Sequence, residues 1–362
     1  MTTGISIYFG TDNEKNLAVL KKAKDAKRSY IFTSLHLPEE QVKDYRRSVR
    51  QLLQKCREYN LNLIADISPA TLGKLNCQSY DELVELGFDF IRLDYGFSNE
   101  EVIRLSEKFH LVFNGSTISN QDIKDWKALG ADFTRFTACH NFYPKPLTGL
   151  SLKRVKEVNQ KLRALGFMTM SFVAGDQDYR GPLYKGLPTV EEHRNQNVFF
   201  NMLQLFYETE SDVVLIGDID VSVGVWNQIR EYNEGFITLS TNIKTSYDFV
   251  KNMVHHDRPD SSDYLIRSQE SRLFQRIPTL EEHQNYDTYK KYRPKIVIEE
   301  AKQRKQGAIC ISNELYLRYE GELEIARLDL EADEKVNVIG YVKEDDKQYL
   351  PYIKEGFGFV LK

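Results

Sequence analysis

Up to about Asn233 the chain alternates short apolar runs with longer stretches of helical periodicity, and this rhythm most limits what it can fold into. Strands that alternate with helices build βαβ units and a parallel sheet. Eight runs read as strands: Ile5–Phe9, Tyr30–Ser34, Asn62–Asp66, Phe90–Leu93, Leu111–Asn114, Phe133–Thr137, Met168–Val173 and Val213–Gly217. Between them lie patterns such as Glu39–Tyr59, where Val42, Tyr45, Val49, Leu52, Leu53 and Cys56 recur at the three-to-four spacing of an amphipathic helix. Eight such pairs in about 234 residues match the usual size of a (β/α)8 TIM barrel. An open doubly wound sheet is the rival, but the first strand-to-helix turn, Tyr8-Phe9-Gly10-Thr11-Asp12, lacks a GxGxxG phosphate loop.

After Asn233 the rhythm changes. Short β-rich runs at Phe236–Leu239, Ile296–Glu299, Ala308–Ile311, Leu315–Tyr319, Val336–Val342 and Phe357–Leu361, with one helix around Tyr247–His255, predict a small β-barrel. The expected division is a barrel domain over 1–234 and a β-rich domain over 235–362. Arg276–Arg293, polar and without Gly/Ser bias, reads as an ordered connection.

A net charge of −4 supplies no global field for nucleic acid or an anionic membrane, so an anionic ligand must be met by local arginines. The N-terminus has no secretory signal pattern and no window approaches eighteen apolar residues, so the expectation is a soluble, cytoplasmic protein. Cys56, Cys77, Cys139 and Cys310 show no CxxC or zinc spacing and read as reduced thiols. No cofactor is called for, and the sequence does not indicate an oligomeric state.

In a parallel barrel the active site lies at the C-terminal ends of the strands. The residues there are polar: Ser34 and His36, Asp66, Asp94, Asn114, His140 with Asn141, Asp176, and Asp218 with Asp220. One such acid often caps a helix or fixes a turn. Asp66, Asp94, Asp176 and Asp218 together would crowd charge at one mouth, a cost that a functional cluster explains. Asp220, just before Val221-Ser222-Val223, reads as a helix cap.

The loop after strand seven, Gly175–Arg194, carries Arg180, Lys185, His193 and Arg194, the place where barrels often hold phosphate. Its end, Thr189–Arg194, also reads as a helix start capped by Thr189. After strand six, His140-Asn141-Phe142-Tyr143-Pro144 mixes aromatic faces with polar heads, as sugar sites do, or packs its rings over the rim. No HxH or HExxH spacing supports a metal, no lysine follows a strand to form a Schiff base, and no GxSxG elbow occurs.

Thr33-Ser34-Leu35-His36, Arg92-Leu93-Asp94-Tyr95-Gly96, Asn114-Gly115-Ser116-Thr117-Ile118, His140-Asn141-Phe142-Tyr143-Pro144, Arg180-Gly181-Pro182, Gly186-Leu187-Pro188-Thr189 and Ile216-Gly217-Asp218, in this order, resemble the 6-phospho-N-acetylmuramidase family. Arg258-Pro259-Asp260, Arg267-Ser268 and Ala332–Val338 extend the likeness through the second domain. The departures are Lys145, where arginine is expected, and Phe142, where tyrosine is common. The resemblance implies a TIM barrel followed by a cyclophilin-like β-barrel. It further implies hydrolysis of a phosphorylated amino-sugar disaccharide, N-acetylmuramic acid 6-phosphate–N-acetylglucosamine, during cell-wall recycling.

Such a reaction needs two carboxyls. Asp94 is assigned as nucleophile or base and Asp218 as proton donor, with Asp66 and Asp176 as orienting groups or substitutes. Arg180, Lys185 and Arg194, with Arg258 or Arg267, are candidates for the phosphate, and Arg135 or Asn114 for the lactyl carboxylate. His36, His140, Asn141 and Tyr143 complete the expected substrate contacts. A sugar-phosphate isomerase or aldolase, and a non-catalytic sugar-phosphate sensor, are the alternatives.

Overall fold

The computed structural model describes residues 2–27, 30–35, 45–276 and 296–362, with the side chains of 273–276 excepted. The chain divides into two compact units, Met1–Asn227 and Gln228–Lys362.

The first unit is a closed barrel of eight parallel strands in sequential order: β1 Thr2–Ser6, β2 Tyr30–Ser34, β3 Asn62–Ile67, β4 Phe90–Leu93, β5 His110–Asn114, β6 Phe136–Cys139, β7 Met168–Val173 and β8 Val213–Ile216. β1 closes the ring by pairing with β8, Gly4 opposite Leu215. Glycine is required there, because a Cβ on Gly4 would stand 2.4 Å from both Leu215 Cδ2 and Tyr30 O.

Side chains alternate across a strand, so every second residue enters the barrel. Phe32, Ile64, Val112, Cys139, Met170, Phe172, Val213 and Leu215 form one buried cluster that fills it. Phe32 and Phe172 meet edge to face at 5.3 Å, and Phe142 closes on Phe172 at 5.1 Å. The aromatic loop after β6 therefore lids the core, as its packing alternative predicted. The outward residues meet helices, for example Tyr45–Glu58, whose Val49, Leu52, Leu53 and Cys56 are buried.

Two barrel boundaries differ from the sequence reading. The first strand lies three residues earlier than Ile5–Phe9, and Phe133–Arg135 is a 3-10 turn capped by Asp132, which delays β6 to Phe136. Thr189 is not a cap: it is buried and donates its hydroxyl to Asn141 O at 2.9 Å, while the short 3-10 helix expected nearby runs over Glu191–His193 with Val190 as its cap, and the next α-helix begins at Val198 after Asn197. Asp220 is likewise no cap. It is buried, accepts from Trp226 Nε1 at 2.7 Å and pairs with Lys22.

The second unit carries β9 Phe236–Leu239, β10 Thr241–Ile243, β11 Val254–His256, β12 Leu265–Arg267, β13 Ala308–Ser312, β14 Leu323–Ala326, β15 Val336–Val342 and β16 Gly358–Leu361. They form a five-stranded antiparallel sheet, β10-β15-β13-β14-β12, and a three-stranded sheet, β11-β16-β9. The helix expected around Tyr247–His255 is a 3-10 segment, Thr245–Val250, followed by β11, and the strand expected at Leu315–Tyr319 is a 3-10 segment, Glu314–Tyr319. Ile296–Glu299 has no regular structure. Among the described residues no helix is long and apolar enough to cross a membrane.

Candidate active site at the barrel mouth

The inward positions that follow the core layer are polar. On β2, Ser34 follows Phe32; on β3, Asp66 follows Ile64; on β4, Arg92 and then Asp94 follow Phe90. A guanidinium in an apolar strand must find anions. Arg92 is 4% exposed. Its Nη1 donates to Asp66 Oδ1 at 2.8 Å and stands 3.7 Å from Asp94 Oδ1, while Nη2 donates to Asn141 Oδ1. Ser34 Oγ donates to Asp66 Oδ2 at 3.3 Å. Burial alone would lower the Arg92 pKa, yet Asp66 and then Asp94 hold it raised. Asp66 is buried and Asp94 is solvent-facing, its side chain 33% exposed.

Arg92 opens the motif Arg92-Leu93-Asp94-Tyr95-Gly96, in which the sequence reading assigns a role to Asp94 alone. The signal that identifies it is a charge two residues before Asp94 on the same strand face, inside an otherwise apolar Phe90–Leu93.

The β7–β8 side is built differently. Asp218 has no exposed surface. Its Oδ2 accepts from Gly175 N at 2.8 Å and Leu187 N at 3.0 Å, and its Oδ1 accepts from Arg180 N at 3.0 Å. Burial raises its pKa against the lowering effect of those three donors. Both of its oxygens face backbone amides of the Gly175–Leu187 loop, which folds around it, so its visible part is to hold that loop. Gly217 beside it admits no side chain, since a Cβ would lie 2.4 Å from Leu187 O. Asp176 is exposed and accepts from Ser222 N at 2.7 Å.

In the same loop the Arg180 guanidinium lies 4.4 Å from the centre of the Tyr8 ring, a cation–π contact that leaves its edge available. Lys185 is exposed. Arg194 is corrected as a phosphate ligand. Its five N–H groups are all spent, on Glu191 through Nε at 2.7 Å and Nη2 at 2.9 Å, on Lys185 O and Gly186 O through Nη1, and on Tyr143 O through Nη2. Tyr143 is tied on its other side, its N–H donating to Pro188 O.

His140 is corrected as a substrate contact. Cys139 faces the core, so His140 faces outward, buried between Ser116 Oγ at 2.9 Å on Nδ1 and Asn159 Oδ1 at 2.9 Å on Nε2. Asn159 Nδ2 donates to Thr209 O, so its oxygen accepts and His140 carries its proton on Nε2. Burial pushes the His140 pKa down to about 4. Arg135 is corrected too. The delay of β6 places it at the N-terminal end of the barrel, where Nη1 donates to Glu107 O, a strand length from the mouth.

Asn114, at the end of β5, accepts from Ser116 N in a tight turn. His36 lies outside the described residues. Arg258 and Arg267 belong to the second unit: Arg258 forks onto the Asp260 carboxylate at 2.9 and 3.1 Å, and Arg267 Nη2 donates to Asp260 O. Among the described residues no group of three or more His, Cys, Asp or Glu is placed to hold a metal ion.

A solved structure of a conserved protein of unknown function from Enterococcus faecalis is 32% identical, with a TM-score of 0.78 over 100% of this chain and 96% of that one. An uncharacterised Bacillus cereus protein of known structure, 24% identical with a TM-score of 0.72 over 100% and 99% of the two chains, shares the fold. No curated protein matches. The N-terminal model of 6-phospho-N-acetylmuramidase matches residues 3–231 and its C-terminal model residues 236–362, so the chain belongs to the 6-phospho-N-acetylmuramidase family.

Proposed function

We propose that the barrel mouth hydrolyses the glycosidic bond of N-acetylmuramic acid 6-phosphate–N-acetylglucosamine, with Asp66 and Asp94 as the carboxyl pair. The observation that carries this is Arg92 Nη1, which stands 2.8 Å from one carboxylate and 3.7 Å from the other. Two oxygens off one nitrogen are no further apart than those distances laid end to end. That ceiling lies at the lower edge of the roughly 6.5–9.5 Å of inverting glycosidases and admits the roughly 5–5.5 Å of retaining ones, so retention is the outcome proposed.

An attacking carboxylate must be charged, and Asp66 is the acid in a charge-assisted bond with Arg92. Asp66 then attacks the anomeric carbon while solvent-facing Asp94 protonates the departing N-acetylglucosamine oxygen. In the second step Asp94 takes a proton from water, which releases the sugar from Asp66. Asn141 holds the far side of Arg92, and Arg180 with Lys185 meets the 6-phosphate from the loop after β7. The family supports the substrate class, and cell-wall recycling in the cytoplasm is the setting that this substrate implies.

The test is incubation with the phosphorylated disaccharide, following products by mass and anomer by NMR. Two sugars with retained configuration are expected, and with an aryl glycoside whose leaving group needs no protonation azide should restore turnover to Asp94→Asn by giving a glycosyl azide of retained configuration. An intact or isomerised disaccharide, or full activity in Asp94→Asn, would sink the reading.

A further inference from the structure

On β5, Val112 points into the barrel core, so Asn114, two residues on and opposite Cys139 of β6, takes the next inward position at the mouth. Leu93 pairs with Phe113, which brings Asp94, the next residue, level with Asn114 on the neighbouring strand. The two share a face of the sheet at a strand spacing of about 4.8 Å.

The Asn114 amide is turned by a chain of hydrogen bonds that starts behind the barrel wall. Asn159 Nδ2 donates to Thr209 O and Ser211 Oγ, which leaves Asn159 Oδ1 to accept from His140 Nε2 at 2.9 Å. His140 Nδ1 then accepts from Ser116 Oγ at 2.9 Å, and the Ser116 N–H donates to Asn114 Oδ1 at 3.1 Å. A backbone N–H can only donate, so the Asn114 atom beside it is the oxygen, and Nδ2 is the atom presented to the mouth. Thr117 closes the turn by donating its N–H and its hydroxyl to Asn114 O. Nδ2 has no acceptor among the described residues and is open to solvent, although Asn114 is half-buried.

We propose that Asn114 Nδ2 donates to the carbonyl oxygen of a sugar's 2-acetamido group, and that this contact sets the preference of the mouth for N-acetylated sugars. The proposal rests on the sugar-phosphate substrate given above, in which Asp94 faces the glycosidic oxygen. The acetamido group is carried on the carbon next to the anomeric carbon, so a donor one strand beyond Asp94 stands where its carbonyl falls. A single neutral amide suits a neutral carbonyl. Carboxylates in this molecule are met otherwise, Asp66 by a guanidinium and Asp218 by three amides, which argues against the lactyl carboxylate as the partner of Asn114.

The full chain is titrated by calorimetry with N-acetylglucosamine 6-phosphate, with glucose 6-phosphate, which differs from it only at C2, and with N-acetylmuramic acid 6-phosphate, which adds the lactyl group. Asn114→Ala should weaken both acetamido sugars about tenfold, the loss of one hydrogen bond that leaves its acceptor unpaired, and glucose 6-phosphate less than twofold. Asn114→Asp keeps one oxygen for the Ser116 N–H and turns the other toward the carbonyl. It should weaken the acetamido sugars further and spare glucose 6-phosphate, whose 2-hydroxyl can donate to it. If Asn114→Ala fails to fold, Asn114→Asp decides. Equal losses for all three sugars, a loss confined to N-acetylmuramic acid 6-phosphate, or binding of none of them overturns the proposal. Cleavage of the disaccharide by the unaltered protein together with equal losses overturns this assignment alone, whereas discrimination at C2 without cleavage supports it and sinks the reaction.

Discussion

The two sides of the barrel mouth use aspartate in opposite ways. At β3–β4, Asp66 and Asp94 gather around one guanidinium and Asp94 faces solvent. At β7–β8, Asp218 is sealed and its oxygens receive three backbone amides. All three acids end apolar strands, so the same local sequence leads to carboxylates around a cation on one side and to loop architecture on the other. The difference lies in the partners: Asp66 and Asp94 share a side-chain cation, whereas Asp218 is held by backbone amides of its own neighbouring loop.

Kinetics should break or sharpen this contrast most clearly. Asp66→Asn is expected to lose on the order of a thousandfold or more in kcat, and any glycosyl azide it forms should have inverted configuration, because azide then attacks the anomeric carbon directly. Asp218→Asn should lower kcat less than tenfold but cost about 1–3 kcal/mol of stability, because its amide group turns a donor toward backbone N–H groups. Equal kinetic damage in both variants would dissolve the distinction.

The loop that Asp218 holds presents Arg180. Arg180→Ala should raise KM for the phosphorylated substrate by roughly 10- to 100-fold, the loss of one charge-assisted contact, and leave a dephosphorylated analogue nearly unaffected. A uniform rise for both would mean that Arg180 shapes the mouth through Tyr8.

The smallest effect concerns acid. His140, behind β6, and His193, in the loop after β7, are buried and each has its pKa pushed down to about 4. The unfolded chain takes protons on these groups first, near the ordinary value of about 6.5, so their contribution is intact above that pH and is lost as pH falls toward 4. The expected slope is at most about 1.4 kcal/mol per pH unit for each histidine. Thermal unfolding between pH 7 and 5 checks it, and a variant lacking His193 should decline less steeply.

Much of this was legible in the chain. Strands Tyr30–Ser34, Phe90–Leu93 and Met168–Val173 stand where their apolar runs placed them, and Asp66 and Asp94 lie at the mouth because two-residue alternation carries each strand's inward face past its last apolar residue. The misplacements have local causes. Asp132 caps a turn whose residues, Phe133-Thr134-Arg135, run straight into the strand and pass for its first residues, and this moved Arg135 to the wrong end of the barrel. His140 was counted by position at a strand end, although the parity of Cys139 already turned it outward.

The sequence by itself determined the alternation of strand and helix, the order of the barrel, and which strands end in acid, because periodicity and propensity act between near neighbours. Only the tertiary structure decided which acid meets a cation and which is sealed among amides. Asp66 meets Arg92 across 26 residues and Asp218 meets Gly175 across 43, through the register of neighbouring strands. A carboxylate's role follows from the donors that such register brings to it, and those donors cannot be read from its own neighbours in the chain.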